Sequence, residues 1–314
     1  MTTVLLPSTL SGEPVVPPGV RTVRYAVKEP LPDDLLDADA LVVWANPTWQ
    51  VQDAAARMRR VRWVQTLAAG PDVILEAGFA PDVVVTSGAG LHDGPVAEHT
   101  LAMLLGVVRR LPTLVRAQDE HRWALELSGG RQARAVDELR SLAGAHVVVW
   151  GFGSIAARLS PMLVALGARV TGVARRPGRR AGFDVVTADD LPRLLPTADV
   201  LIGLLPSTRA TRHVIDADVL ALLPAHAWVV NVGRGSTLDE AALLDAIGSG
   251  GLAGAALDVF ETEPLPADSP LWDERRILIS PHGAGGRPVG GAELVADNIA
   301  AFVTGQPLRN VVER

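Results

Sequence analysis

Three places in this sequence gather residue types that can do chemistry. The first is Gly151-Phe152-Gly153-Ser154-Ile155-Ala156. The run before it, Ala145–Trp150, reads as a buried strand, and Ala157–Leu166 reads as a helix. Two glycines and a third small residue between a strand and a helix form a dinucleotide phosphate loop. Gly151 permits the tight turn, Gly153 lets the backbone approach a pyrophosphate, and Ala156 lets the helix pack on the strand. The helix N-terminus that follows then presents N–H groups and a positive dipole end to the anion, with Ser154 and Ile155 in its first turn. A bare glycine turn is the competing reading; the strand before and the helix after weigh against it.

The second place is Ala174-Arg175-Arg176, just after the strand-like run Arg169–Val173. It lies about 20 residues beyond the loop, where an NAD-binding chain usually carries a carboxylate for the ribose 2′-hydroxyl. A carboxylate there would repel a 2′-phosphate. Ala174 removes that objection, and Arg175 and Arg176 can hold the phosphate by charge-assisted hydrogen bonds. NADP(H) is therefore favoured over NAD(H). The alternative is a pair of ordinary surface arginines.

The third place is a set of strand ends in the second half. Val229–Val232 runs into Gly233-Arg234-Gly235, Ala255–Val259 contains Asp258, and Ile277–Ser280 is followed by Pro281-His282-Gly283-Ala284. In open parallel sheets, ligands bind beyond the carboxyl ends of the strands. A guanidinium there either grips a carboxylate bidentately or satisfies loop carbonyls. A lone histidine is more often structural than catalytic, but three glycine- or proline-marked strand ends together favour a site.

Such side chains need a scaffold, and the apolar pattern supplies one. Thr3–Leu6, Ala40–Trp44, Arg62–Gln65, Val83–Thr86, Ala145–Trp150, Arg169–Val173, Val200–Leu205, Trp228–Val232, Ala255–Val259 and Ile277–Ser280 read as strands, mostly continuously apolar. Such runs belong to parallel sheets covered on both faces, and their alternation with helical patterns means βαβ units. The expected fold is α/β, with two Rossmann-like domains built on parallel sheets. Two helices act as dividers, one from Gly94-Pro95 to Leu111 with Pro112 following, the other from after Pro288 to Val303 with Gly305 as its C-cap. They predict a dinucleotide-binding domain, 94–284, inserted in a smaller flavodoxin-like substrate domain, 1–93 plus 285–314. The junction of two domains is a common place for ligands. The polar stretch 128–141 reads as a loop or arm.

The 314 residues suffice for two domains, with 48% apolar and 20% charged residues as in a globular chain. A net charge of −6 gives no footprint for nucleic acid or an anionic membrane. With no cysteine, disulfides, thiolate catalysis and cysteine metal sites are excluded, and no metal is called for. The first residues lack a basic region and a long apolar run, and no stretch is long enough to span a bilayer. The expected location is the cytoplasm.

In this order, Gly151–Ile155, Leu205-Pro206-Ser207-Thr208, Asn231–Gly235, Leu257–Pro266 and Ser280-Pro281-His282 resemble the D-isomer-specific 2-hydroxyacid dehydrogenase family, in its glyoxylate/hydroxypyruvate reductase-like branch. The resemblance spans the chain and is most specific from about Gly144 to His282. It implies that Arg234 orients a small 2-oxo acid and that protonated His282 gives a proton to the developing alkoxide while NAD(P)H supplies hydride, yielding the D-2-hydroxy acid. Glu263 would hold His282 and favour its charged form. Asp258 would bind the nicotinamide carboxamide, with Ile155, Leu205, Pro206, Val232, Gly233, Arg234, His282 and Ala284 also beside the cofactor. Ala69 and Gly70, in Leu67–Asp72, would bind the substrate carboxylate through backbone N–H groups. Trp44 matches a tryptophan of the reductase branch or serves as a core or interface aromatic. His99 is read as structural.

The chain departs from the pattern at Ser154, where many members carry arginine, and at Gly285-Gly286-Arg287-Pro288 after the histidine. It ends soon after the last helical pattern, without the extra domain of many phosphoglycerate dehydrogenases. The alternatives are a phosphoglycerate dehydrogenase-like enzyme and a dinucleotide-sensing protein like the family's corepressors. The resemblance also implies a homodimer, with about Arg116 to Leu142 as its arm.

Overall fold

The computed structural model describes residues 1–127 and 138–313. They divide into two compact units, Met1–Asp93 with Arg287–Arg314, and Gly94–Gly286.

The first unit holds β1 (Thr2–Pro7), β2 (Val20–Tyr25), β3 (Ala40–Val43), β4 (Trp63–Thr66) and β5 (Val84–Thr86). Their order is β2-β1-β3-β4-β5 and every pairing is parallel, the flavodoxin-like arrangement. Side chains alternate between two cores, as the pleat requires. Leu5, Leu41, Val43 and Val64 pack with Val51 and Ala54 of the helix Thr48–Arg57, while Val4, Leu6, Val42 and Trp63 pack with Leu294, Val295 and Ile299 of the helix Gly291–Thr304. A buried polar chain ties that last helix to the sheet. Asn298 Nδ2 donates to Gln65 Oε1 at 2.7 Å, and Thr86 Oγ1 donates to the same oxygen at 2.8 Å. Gly305 ends the helix in the left-handed conformation (φ +67°), as its C-cap position demands.

The second unit holds β6 (His146–Trp150), β7 (Arg169–Val173), β8 (Gly178–Arg180), β9 (Phe183–Val186), β10 (Val200–Gly203), β11 (Trp228–Asn231), β12 (Gly254–Leu257) and β13 (Ile277–Ile279). Their order is β13-β12-β11-β10-β6-β7-β9-β8. Counted from β6 as the first strand, β9-β7-β6-β10-β11-β12 is the 3-2-1-4-5-6 order of dinucleotide-binding sheets, whose order reverses between β6 and β10. Every residue of β6, β10, β11 and β12 is buried, which explains why their sequences are apolar apart from His146 and Asn231 at strand ends.

The parallel sheet expected here is found, with one addition: the edge strand β8 pairs antiparallel with β9. The hairpin turns through Ala181 (φ +50°) and Gly182 (φ +86°), a two-residue loop with both φ values positive that suits the strand twist. One expectation is corrected: the divider helix stops short of Leu111. It spans Asp93–Val108, Arg110 turns left-handed (φ +60°), and a new helix, Leu111–Asp119, begins with Pro112 in its first turn. Most of the polar stretch 128–141, namely 128–137, lies outside the described residues. No described helix is long and apolar enough to cross a membrane.

Candidate active site

The phosphate loop leaves β6 through Gly151, whose φ of +103° suits glycine. A Cβ there would lie 2.4 Å from the Leu204 carbonyl oxygen at the end of β10, so the loop lies against the neighbouring strand end. The Gly151 and Phe152 N–H groups donate to Val173 O at 2.9 and 3.2 Å. Phe152 turns inward onto β7. Gly172 makes room for it, since a Cβ at 172 would meet the ring at 2.3 Å, and the Phe183 ring lies 6.0 Å away. Gly153, by contrast, has open space where a Cβ would be and caps the helix Ser154–Ala165 without a side-chain hydrogen bond. An exposed glycine leading into an uncapped helix start fits a dinucleotide pyrophosphate. Ile155 is half-buried and Ala156 fully buried beneath.

Beyond β7, Ala174 donates its N–H to Val186 O at 2.9 Å. Arg175 and Arg176 are exposed, and neither has an ion-pair partner among the described residues.

The ends of β10, β11 and β12 interlock. A Cβ at Gly233 would lie 2.7 Å from Leu205 N and O, and one at Gly235 would lie 1.9 Å from the Phe260 carbonyl carbon. Leu205 and Val232 are buried, and Pro206 is exposed. The half-buried Arg234 sits in this turn with Nη1 donating to Gly233 O at 2.9 Å. Its backbone is fixed by two fully buried polar residues that sequence reasoning passed over. Asn231 Nδ2 and Thr237 Oγ1 donate to Arg234 O at 3.2 and 2.7 Å. A polar residue closing an otherwise apolar buried strand was the available signal for Asn231.

His282 and Glu263 meet, with Nδ1 and Oε2 2.7 Å apart. Glu263 Oε1 accepts the Phe260 N–H at 2.9 Å, which orients the carboxylate. Nε2 of His282 has no partner among the described residues. His282 holds a left-handed backbone (φ +52°), uncommon for a residue with a side chain.

Asp258 holds that backbone in place. It is 0% exposed; Oδ1 accepts from Ser280 Oγ at 2.6 Å and Gly283 N at 2.8 Å, and Oδ2 accepts from Ala284 N at 3.1 Å. The His282 N–H donates to the Asp258 carbonyl at 2.8 Å. His99 Nε2 lies 3.0 Å from Ser280 Oγ and 3.2 Å from Asp258 Oδ1. The serine hydroxyl has one proton and gives it to Asp258, so His99 Nε2 faces acceptors and carries its own hydrogen. Sequence reasoning gave Asp258 to the nicotinamide; here its carboxylate already organises the loop that carries His282, as do Ser280 and His99. Ala284 is buried.

In the first unit, Ala69 and Gly70 follow β4 in a loop whose N–H groups at these positions have no acceptor among the described residues. Below them His92 Nε2 lies 2.7 Å from Leu67 O, and Gly88 donates to Ala68 O at 2.8 Å. A Cβ at Gly88 would be 2.1 Å from Leu67 O. Trp44 follows β3, half-buried, with its ring centroid 5.4 Å from that of His92. Among the described residues no group of three or more His, Asp or Glu side chains could hold a metal ion.

Residues 101–284 match a model of the NAD-binding domain of D-isomer specific 2-hydroxyacid dehydrogenases. A D-3-phosphoglycerate dehydrogenase of Mycobacterium bovis is 32% identical over 285 residues, 88% of this chain and 51% of that protein. The chain thus spans about half the length of the phosphoglycerate dehydrogenases it matches. Glyoxylate/hydroxypyruvate reductase A of Salmonella newport is 30% identical over 289 residues, 88% of this chain and 86% of that protein. The crystal structure of a D-isomer specific 2-hydroxyacid dehydrogenase from Xanthobacter autotrophicus Py2, in complex with NADPH and MES, superimposes with a TM-score of 0.79 at 31% identity, covering 99% of this chain and 98% of that one.

Proposed function

The chain belongs to the D-isomer specific 2-hydroxyacid dehydrogenase family, and from that premise we propose that it reduces a small 2-oxo acid of the glyoxylate or hydroxypyruvate type to the D-2-hydroxy acid with NADPH. It is an oxidoreductase acting on CH–OH donors with NAD(P). The observation that carries the substrate chemistry is the His282–Glu263 pair, with Nδ1 engaged at 2.7 Å and Nε2 uncommitted.

A bound reduced nicotinamide supplies hydride to the carbonyl carbon. The chain supplies the rest. Arg234 grips the acid by its carboxylate or carbonyl oxygen, and the Ala69 and Gly70 N–H groups take the carboxylate. Trp44 lines the substrate's place. Protonated His282 donates from Nε2 to the developing alkoxide, and Glu263 balances its positive charge. In oxidation the same nitrogen accepts the proton. Asp258 serves chiefly as the positioning residue for His282; a second lone pair on Oδ2 is its means of reaching the carboxamide. Gly151, Gly153, Ser154, Ile155, Leu205, Pro206, Val232, Gly233 and Ala284 would hold the cofactor.

The preference for NADPH rests on Ala174 in place of a carboxylate and on the exposed Arg175 and Arg176. The NADPH-bound relative supports the same reading. A homodimer in the cytoplasm belongs to the proposal, the lack of cysteine fitting a reducing compartment.

The test is oxidation of NADPH and of NADH with glyoxylate, hydroxypyruvate and 3-phosphohydroxypyruvate. The largest kcat/KM is expected with NADPH and one of the two unphosphorylated acids. Turnover of the phosphorylated acid alone would move the substrate to the phosphoglycerate class, and tight cofactor binding without turnover of any acid would leave a sensor. Replacing both Arg175 and Arg176 with alanine should weaken NADPH roughly tenfold or more while barely changing NADH. Equal losses for both would refute the 2′-phosphate contact.

A further inference from the structure

The β8–β9 hairpin brings a third arginine to the cofactor loops. Arg180 is the last residue of β8, at the outer edge of the sheet, and it is half-buried. Its Nη1 donates to Phe152 O at 3.0 Å and its Nη2 to Arg176 O at 2.8 Å. One guanidinium fork therefore joins the middle residue of the phosphate loop to the turn that carries Arg175 and Arg176. No carboxylate pairs with Arg180 among the described residues.

The two ends of this bridge differ in stiffness. Phe152 is fixed, its ring set against Gly172 and its N–H bonded to β7. The turn 175–178 is exposed at every residue, and Gly178 holds a φ of +140°. Exposed turns of this kind have little to define them unless something outside the turn does. The Arg180 fork supplies that definition by referring the turn to the immobile Phe152 carbonyl. A planar guanidinium does this with two parallel donors at once, whereas an ammonium acts from a single point.

We infer that Arg180 is the positioning residue that sets this chain's selectivity for a 2′-phosphorylated dinucleotide, by holding the Arg175–Arg176 turn at a fixed place beside the phosphate loop. The inference rests on the proposed 2′-phosphate contact of those two arginines. Its selectivity has a simple origin: the pyrophosphate end is held by the glycine loop and the helix start, and that loop keeps the Gly151 and Phe152 N–H bonds to Val173 O without Arg180. Only the 2′-phosphate end depends on the turn.

The test is fluorescence titration of NADPH and NADH against the wild-type chain, Arg180→Met and Arg180→Lys. Wild type should bind NADPH more tightly. Arg180→Met should raise the Kd for NADPH roughly tenfold and that for NADH by less than about threefold. Retained NADH affinity in the same titration reports an intact fold. Arg180→Lys should behave like the methionine variant, because one ammonium does not span both carbonyls. An unchanged NADPH/NADH ratio in Arg180→Met would overturn the inference, as would equal weakening of both cofactors or full rescue by lysine. Equal wild-type affinities would instead remove the 2′-phosphate reading beneath it, so the two failures are told apart.

Discussion

His282→Ala is expected to lower kcat for 2-oxo acid reduction by about 10²–10⁴-fold, the usual worth of a positioned general acid. Cofactor affinity should stay nearly unchanged. The reason lies in how the loop is held. Its contacts with Asp258 are made by the main-chain N–H groups of His282, Gly283 and Ala284 and by the Ser280 hydroxyl, none of which involves the imidazole. Removing the ring therefore takes away the proton donor and leaves its platform. The left-handed backbone at 282 complicates alanine, which visits that region reluctantly, whereas asparagine does so more readily. His282→Asn separates the two effects: it should retain the wild-type melting temperature and still lose turnover. Steady-state rates at saturating NADPH, with a cofactor titration on the same samples, make the measurement. Wild-type turnover in both variants would remove His282 from its role.

Asp258→Asn should harm both stability and turnover. The carboxylate is fully buried and accepts three hydrogen bonds, with His99 Nε2 3.2 Å from Oδ1. An amide in the same place presents N–H to at least one donor and loses the charge that strengthened the other bonds. Bonds to a buried charged acceptor are worth about 1.5–3 kcal/mol each, and an unsatisfied donor adds about 1–3 kcal/mol. A loss on the order of 3 kcal/mol is expected, which lowers the melting temperature of a unit this size by several degrees. Ser280→Ala removes one donor only and should cost about 1.5–3 kcal/mol. Turnover in Asp258→Asn should fall together with stability, since the backbone that presents His282 loses its anchor. Thermal melts beside kcat decide the matter. An Asp258→Asn protein with wild-type melting temperature and rate would mean that the carboxylate does not organise this loop.

The sequence was most readable where physical constraint is strongest. Strands β6, β10, β11 and β12 are buried on both faces, so their residues are almost all apolar and their ends stand out. The βαβ character of the second domain followed from those strands and the helical patterns between them; the order of the strands came from the structure. Strands β2, β8 and β9 were missed for one reason: they lie at or next to a sheet edge, where solvent tolerates Arg21, Arg24, Arg179 and Asp184. Missing β8 also hid Arg180, because nothing in the local sequence says that a hairpin turns it back onto the phosphate loop.

The candidate site divides in the same way. Gly151, Arg234, Glu263 and His282 were picked out by local pattern and family resemblance, and of these the 2.7 Å contact joins Glu263 to His282. The roles of the supporting residues were not legible. Asn231, Thr237, His92 and Ser280 act through backbone carbonyls or a buried carboxylate, and those partners depend on tertiary packing. His99 was read as structural; its ring faces Ser280 and Asp258 across 181 residues of chain, a distance no local pattern spans.

The interlocked strand ends bear on how this chain can change. With Gly233 against Leu205 and Gly235 against Phe260, the turns after β10, β11 and β12 have no slack to take an added residue, or even an added methyl group. Length changes at these close approaches are expected to be harmful, whereas exposed turns elsewhere tolerate them better. Divergence of substrate range in this chain, whether natural or in a laboratory library, must therefore proceed by exchange of side chains on a fixed frame.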